Sequence, residues 1–206
     1  MEIKRLVTGI YGSNCYIVMD ENTKEAVVLD PGGDVDDIAR TIDSMGASVK
    51  YILLTHGHLD HTTGVAELKT ITKATVCISK LDDDLITRGE HLFGPLIKGG
   101  ADKLLKQGDT IRIENLEITC IETPGHTPGG MCFLVENCVF TGDTLFAGSI
   151  GRTDFTGGDF GSIINSIKSK LLTLPGDTIV YPGHQQISTI NNEKLNNPFL
   201  QDWYRV

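Results

Sequence analysis

The 206 residues suffice for one domain with a substantial core, and 40% hydrophobic with 22% charged content excludes a disordered chain. A formal net charge of −9 argues against a nucleic-acid binder, which gathers Lys and Arg against phosphates. No apolar run nears the roughly 20 residues that span a bilayer, and the N-terminus lacks an apolar core of signal-peptide length, so neither a membrane protein nor an exported one is expected.

Short strands come first along the chain. Residues 2–8, 14–19 and 26–30 mix β-branched and aromatic side chains, punctuated by Gly12, Ser13, Glu21, Asn22 and Thr23. After Asp30-Pro31-Gly32-Gly33, the residues Val35, Ile38, Ala39, Ile42 and Met45 recur at helical spacing, with Asp34 placed to cap the start and Gly46 to close the end. Val49 to Leu54 is too short an apolar run for a helix and reads as a buried strand. A helix over 62–72 and a strand over 75–79 follow. Residues 81–109, with Gly89, Gly94, Gly99 and Gly100, are the least readable stretch, and their position suits a flap beside a site. Strands resume at 110–114, 116–122, 131–135 and 138–141, the last two joined as a hairpin by Glu136-Asn137. Residues 161–172 form a helix that turns Ile163, Ile164, Ile167 and Leu171 inward, and a strand at 178–181 leads into Pro182-Gly183-His184.

Each half thus runs through strands, a helix and a buried strand ending at a histidine, which suggests a duplicated half-unit. The order fits an α/β architecture of two packed sheets with helices outside, as one domain over 1–206. Cys15, Cys77, Cys120, Cys132 and Cys138 are odd in number, scattered and without a C-x-x-C pair, as expected of reduced core thiols in a cytoplasmic protein.

The sharpest feature is Thr55-His56-Gly57-His58-Leu59-Asp60-His61. His56 and His58 are two apart, so in extended backbone both rings lean to one side, whereas Asp60 and His61 fall where the chain turns and can face a second point. Packing these groups together without a cation costs several kcal/mol of desolvation, so the cluster points to metal. Two ions need more than four protein ligands. Further candidates sit at strand ends, each directly after a glycine that permits a sharp turn: His126, Asp143 and His184. Taken singly, each reads more simply as a capped or solvated residue; the cluster lifts all three. Five of the six histidines lie in these motifs, and the sixth, His91, reads as an exposed loop residue. Thr55 and Asp30 read as supports or turn residues.

T-H-x-H-x-D-H followed by a Gly-His, a Gly-Asp and a final Gly-His resembles the metallo-β-lactamase superfamily over essentially the whole chain. The resemblance implies a four-layer αβ/βα sandwich of two mixed sheets, with the metal site at one edge. It implies that His56, His58 and His126 bind one divalent ion, that Asp60, His61 and His184 bind another, and that Asp143 bridges them. Zinc is the foremost expectation, with iron or manganese as alternatives for such nitrogen and oxygen ligands.

Gly142-Asp143-Thr144-Leu145-Phe146, Gly151-Arg152-Thr153-Asp154-Phe155 and Asn197-Pro198-Phe199-Leu200 resemble the short glyoxalase II-like hydrolases. That implies hydrolysis of a small-molecule thioester, S-2-hydroxyacylglutathione giving a 2-hydroxy acid and glutathione, by a water ionised between the cations. True glyoxalase II enzymes carry a further helical domain for the glutathione, which these residues do not include. Asp60 would hold the second ion or orient the nucleophile. Arg152 would bind an anionic substrate tail, or else pair with Asp154 or Asp159. The rival is a persulfide dioxygenase, an oxidoreductase on the same fold with one iron on His56, His126 and Asp143.

Overall fold

A computed structural model describes residues 1–201. The first half runs β1 (Glu2–Thr8), β2 (Ser13–Met19), β3 (Glu25–Leu29), α1 (Val35–Met45), β4 (Ser48–Leu53), α2 (Leu59–Thr62), α3 (Val65–Thr72), β5 (Thr75–Ser79), α4 (Lys80–Thr87) and β6 (Lys103–Leu105). The second runs β7 (Thr110–Ile113), β8 (Leu116–Glu122), β9 (Met131–Val135), β10 (Cys138–Gly142), β11 (Leu145–Phe146), β12 (Ser149–Ile150), α5 (Phe160–Ser166), β13 (Ile179–Pro182), β14 (Ser188–Thr189) and α6 (Ile190–Asn196).

Each half builds one mixed sheet. Strands β1 to β6 lie in sequence order, antiparallel through β3 and parallel from β3 to β6. The second sheet is ordered β14-β13-β10-β9-β8-β7, with β10 and β13 its parallel pair. Side-chain alternation sorts the apolar residues into layers. On β2, Tyr16 and Val18 face the second sheet, while Cys15, Ile17 and Met19 face the helices, where Ile38, Ile42 and Leu68 meet them. On β9 and β10, Met131, Phe133 and Phe140 point between the sheets, and Cys132 and Val139 point outward to Ile163, Ile167 and Leu171. Helix, sheet, sheet and helix therefore stack as the four-layer αβ/βα sandwich.

The helices depart from expectation in three places. The Asp34 side chain does not cap α1; its backbone is left-handed, and its carboxylate accepts from the Gly9 N–H at 2.9 Å instead. Gly46 does close α1, its N–H donating to the Asp43 and Ile42 carbonyls. The helix expected over 62–72 is α3, which starts only at Val65 and is separated from the short α2, because Gly64 donates to the Pro31 carbonyl at 2.8 Å and approaches it too closely for a Cβ. The helix over 161–172 widens to π geometry at Ile167–Leu171, with Leu172 N–H bonded to the Ile167 carbonyl at 2.9 Å. Among the described residues, no helix is long and apolar enough to cross a membrane.

Candidate metal centre

The seven ligand-type residues converge at one edge of the sandwich. His56 and His58 lie on the exit from β4, and the backbone is still extended at His58, so the two rings stay on one side, their centroids 4.8 Å apart. The chain then turns into α2, which carries Asp60 and His61. The second half contributes His126 after β8, Asp143 after β10 and His184 after β13.

Among the described residues, three groups of side chains could hold a metal ion: His56, His58 and His126; Asp60, His61 and His184; and Asp30, His56 and His61, which shares a histidine with each of the others. Asp143 lies between the first two, with Oδ1 3.4 Å from His61 Nε2, and Oδ2 3.6 Å from both His126 Nε2 and His184 Nε2. His58 Nδ1 and His126 Nε2 are 2.9 Å apart, and His184 Nε2 is 3.2 Å from Asp60 Oδ2.

Neighbours fix three of the tautomers. Thr55 Oγ1 gives its one proton to Asp30 Oδ2 at 2.6 Å, so at 3.0 Å it accepts from His56 Nδ1–H. His61 donates Nδ1–H to Asp30 Oδ2 at 3.0 Å, and His126 donates Nδ1–H to the Arg152 carbonyl at 2.7 Å. In all three the neutral ring leaves its Nε2 lone pair facing the site, the arrangement metal-binding histidines need. Among the described residues, His56 Nε2, His58 Nε2, His61 Nε2 and Asp143 Oδ1 are buried without a hydrogen-bond partner. Unpartnered buried polar atoms at such a density fit cations. Asp30, also close to His56 and His61, is no ligand; Thr55 N–H, Thr55 Oγ1 and His61 already occupy its oxygens.

Electrostatics agrees with this division. Burial, reinforced by His61 and His126, holds His56 far below the ordinary histidine range, and burial with His126 pushes His58 down to about 3. These two stay neutral, as metal ligands must. Burial opposes charge on His61, but Asp143, Asp30 and Asp60 outweigh it and lift the ring to about 9. Burial likewise disfavours an ionised Asp60, yet the His184 hydrogen bond and His61 hold its carboxyl well below the usual carboxylate range.

A cleft of about 550 Å³ opens over these groups. His58, Asp60, His126, Asp143 and His184 form its floor, and Leu59, Leu92, Phe146, Ile150 and Phe155 give it apolar walls. The segment expected to be a flap is tied to the metal loop: Gly94 N–H donates to the Gly57 carbonyl and Leu59 N–H to the Leu92 carbonyl, both at 2.9 Å, which seats Phe93 on His58 with ring centroids 4.7 Å apart. Arg152 also lines the cleft, but Nε and Nη2 bind Asp154, each at 2.7 Å, and the guanidinium lies 3.8 Å over the Phe155 ring. Of the two pairings open to it, Asp154 is the one formed. His91 is an exposed loop residue, as read.

Sequence reading missed Asp82. This carboxylate is fully buried on α4 and accepts hydrogen bonds from Gly57, Thr127 and Gly129. Burial pushes its carboxyl upward, against the pull of those donors. In the sequence it sits in Asp82-Asp83-Asp84, a run that looks like a solvated helix face; Ser79 three residues earlier, which does cap α4, was the available hint of a helix.

The sequence and the fold match known proteins. The metallo-β-lactamase superfamily matches residues 8–184. The chain is similar to the hydroxyacylglutathione hydrolase GloC of Haemophilus influenzae, 35% identical over 97% of this chain and 98% of the relative. Among solved structures, the BLEG-1 B3 metallo-β-lactamase has TM-score 0.86 at 33% identity, covering 97% of this chain and 99% of that one. ETHE1 from Myxococcus xanthus has TM-score 0.84 at 32% identity, covering 96% and 84%. TTHA1623 in a di-iron-bound form has TM-score 0.82 at 31% identity, covering 96% and 100%. With the ligand-type residues gathered at the sandwich edge and the match running through the last of them, His184, the chain belongs to the metallo-β-lactamase superfamily.

Proposed function

We propose that the protein is a binuclear metallohydrolase that cleaves a thioester, S-2-hydroxyacylglutathione, to a 2-hydroxy acid and glutathione. The observation that carries this is the pair of ligand sets meeting at Asp143 beneath an open cleft. A relative named hydroxyacylglutathione hydrolase, matched over nearly its whole length, supports the substrate.

In this reading His56, His58 and His126 would hold one ion and Asp60, His61 and His184 the other, with Asp143 placed between the two sets to serve both. A pair of divalent ions, zinc foremost with iron or manganese as alternatives, supplies an ionised water near neutral pH and polarises the carbonyl. Asp60, part-exposed on the cleft floor and bonded to His184, orients the attacking water. The apolar walls exclude bulk water around the acyl group and strengthen the electrostatics inside. As the carbon–oxygen bond forms and the carbon–sulfur bond breaks, the thiolate departs needing little protonation. Arg152 binds an anionic tail of the substrate with the Nη1 and Nη2 donors that Asp154 leaves over.

The partner is thus a small molecule; the net charge of −9 disfavours nucleic acid. A reducing cytoplasmic setting suits five buried cysteines with no disulfide among them.

Incubating the metal-loaded protein with S-lactoylglutathione and other thioesters, while following loss of thioester absorbance, tests the reading. Hydrolysis is expected, with Asp143→Ala and His58→Ala abolishing turnover and lowering metal content. An untouched thioester panel overturns the substrate. Oxygen uptake with glutathione persulfide and one iron per chain would establish the dioxygenase instead.

A further inference from the structure

Three acids follow one another on α4 and do different things. Asp84 pairs with Lys80 on the surface, and Asp83 accepts from the Ala101 N–H. Asp82 is wholly buried, and its hydrogen bonds reach both loops of one metal set. Oδ2 accepts from the N–H of Gly57, between His56 and His58, and from Oγ1 of Thr127, next to His126, each at 2.8 Å. Oδ1 accepts from the N–H of Gly129 at 2.7 Å. The first loop leaves the first sheet and the second leaves the second sheet, so one carboxylate spans the junction. Both glycines fit tightly: a Cβ on Gly57 would lie 3.2 Å from Asp82 Cβ, and one on Gly129 would lie 2.5 Å from Oδ1.

We infer that Asp82 is a positioning residue whose carboxylate sets the His56–His58 loop against the His126 loop, so that three imidazoles meet on one ion. The inference rests on the metal assignment above and not on the substrate. Other groups hold the second set: Asp30 orients His61, Ser13 Oγ donates to the Asp60 carbonyl at 2.6 Å, and Asn14 Nδ2 binds the carbonyls of Pro182 and Gln185 around His184. The effect of Asp82 is therefore selective for one ion of the two.

Chemistry orders the variants. Thr127→Val removes one donor of three. Asp82→Asn keeps a single acceptor oxygen, so either Gly57 or Gly129 loses its partner. Metal-free protein and both variants are titrated with cobalt(II) against a competing chelator, the absorption bands being assigned with His126→Ala and His184→Ala and folding checked by circular dichroism. In Asp82→Asn the ion on His56, His58 and His126 should bind about 10–100-fold more weakly, the second ion moving less than about threefold; Thr127→Val should give a smaller shift of the same selectivity. Equal weakening of both ions in folded Asp82→Asn, or weakening of neither, overturns the inference. If Asp82→Asn does not fold, Thr127→Val decides, and unaltered binding of the first ion sinks the proposal. Wild-type protein that takes up no ion removes this inference and the proposed function together, whereas normal selective uptake without thioester cleavage removes the substrate alone.

Discussion

At the residue scale, the histidines are sorted by the charges that surround each ring. His56 faces the Thr55 hydroxyl and other imidazoles and stays neutral, while His61 faces three carboxylates and gains a proton when no metal is bound. The metal-free protein should therefore have a pH optimum of stability. His58 titrates at about 3 when folded against an ordinary histidine value of about 6.5 when unfolded, so its contribution is present above 6.5 and is lost as pH falls toward 3. His61 has the opposite sign: its folded value of about 9 gives stability that is full below about 6.5 and lost as pH rises through 9. Melting temperatures of chelator-treated protein between pH 4 and 9.5 should peak near 6.5 and fall on both sides (from the ordinary value). A flat profile, or one still rising at pH 9, would remove the charge assignment of His61. The seven ligand-type residues were legible because histidine and aspartate are concentrated there in short motifs at strand ends. Asp82 was not, because its distinction is burial, and aspartate in an acidic run carries no sign of that.

At the element scale, the loops matter more than the strands they follow. Gly183 N–H donates to the Gly142 carbonyl, and Asn14 N–H donates to the Gly183 carbonyl, each at 2.7 Å, so the backbone is held from both sides. A Cβ there would lie 2.3 Å from Asp143 Oδ1 and 2.8 Å from His61 Cε1. Gly183→Ala should displace these side chains by a fraction of an ångström to an ångström and lower kcat/KM by about 100-fold, with a near-unchanged circular dichroism spectrum. Activity within a few-fold of the parent would show that the packing there yields. Strands such as β2 and β9 were readable as short apolar runs bounded by turn residues, since both of their faces are buried against different layers. Helix α4 was not, because Lys80–Thr87 shows three acids in a row and its packing is settled by Asp82 turning inward. The break between α2 and α3 was hidden for a similar reason: Gly64 reads as a tolerated helix residue until Pro31 is seen against it.

At the scale of the molecule, each half of the sequence supplies one sheet, as the suggested duplication anticipates, and the apolar layer between sheets is completed by both. The metal centre is divided in the same way, with four ligand-type residues before β5 and three after β8. Ligand binding to the folded state alone should stabilise it by roughly 2.7 kcal/mol at a hundredfold excess over Kd. The urea midpoint should accordingly rise with added zinc and fall with chelator, and a midpoint indifferent to both would separate the ions from the fold. Neither proposed ligand set is complete within one half, since His126 belongs to one and His184 to the other. On the proposed reading, loading would follow docking and occupancy would act as an inspection mark: a chain whose two halves closed in the wrong register would stay empty rather than become a faulty catalyst.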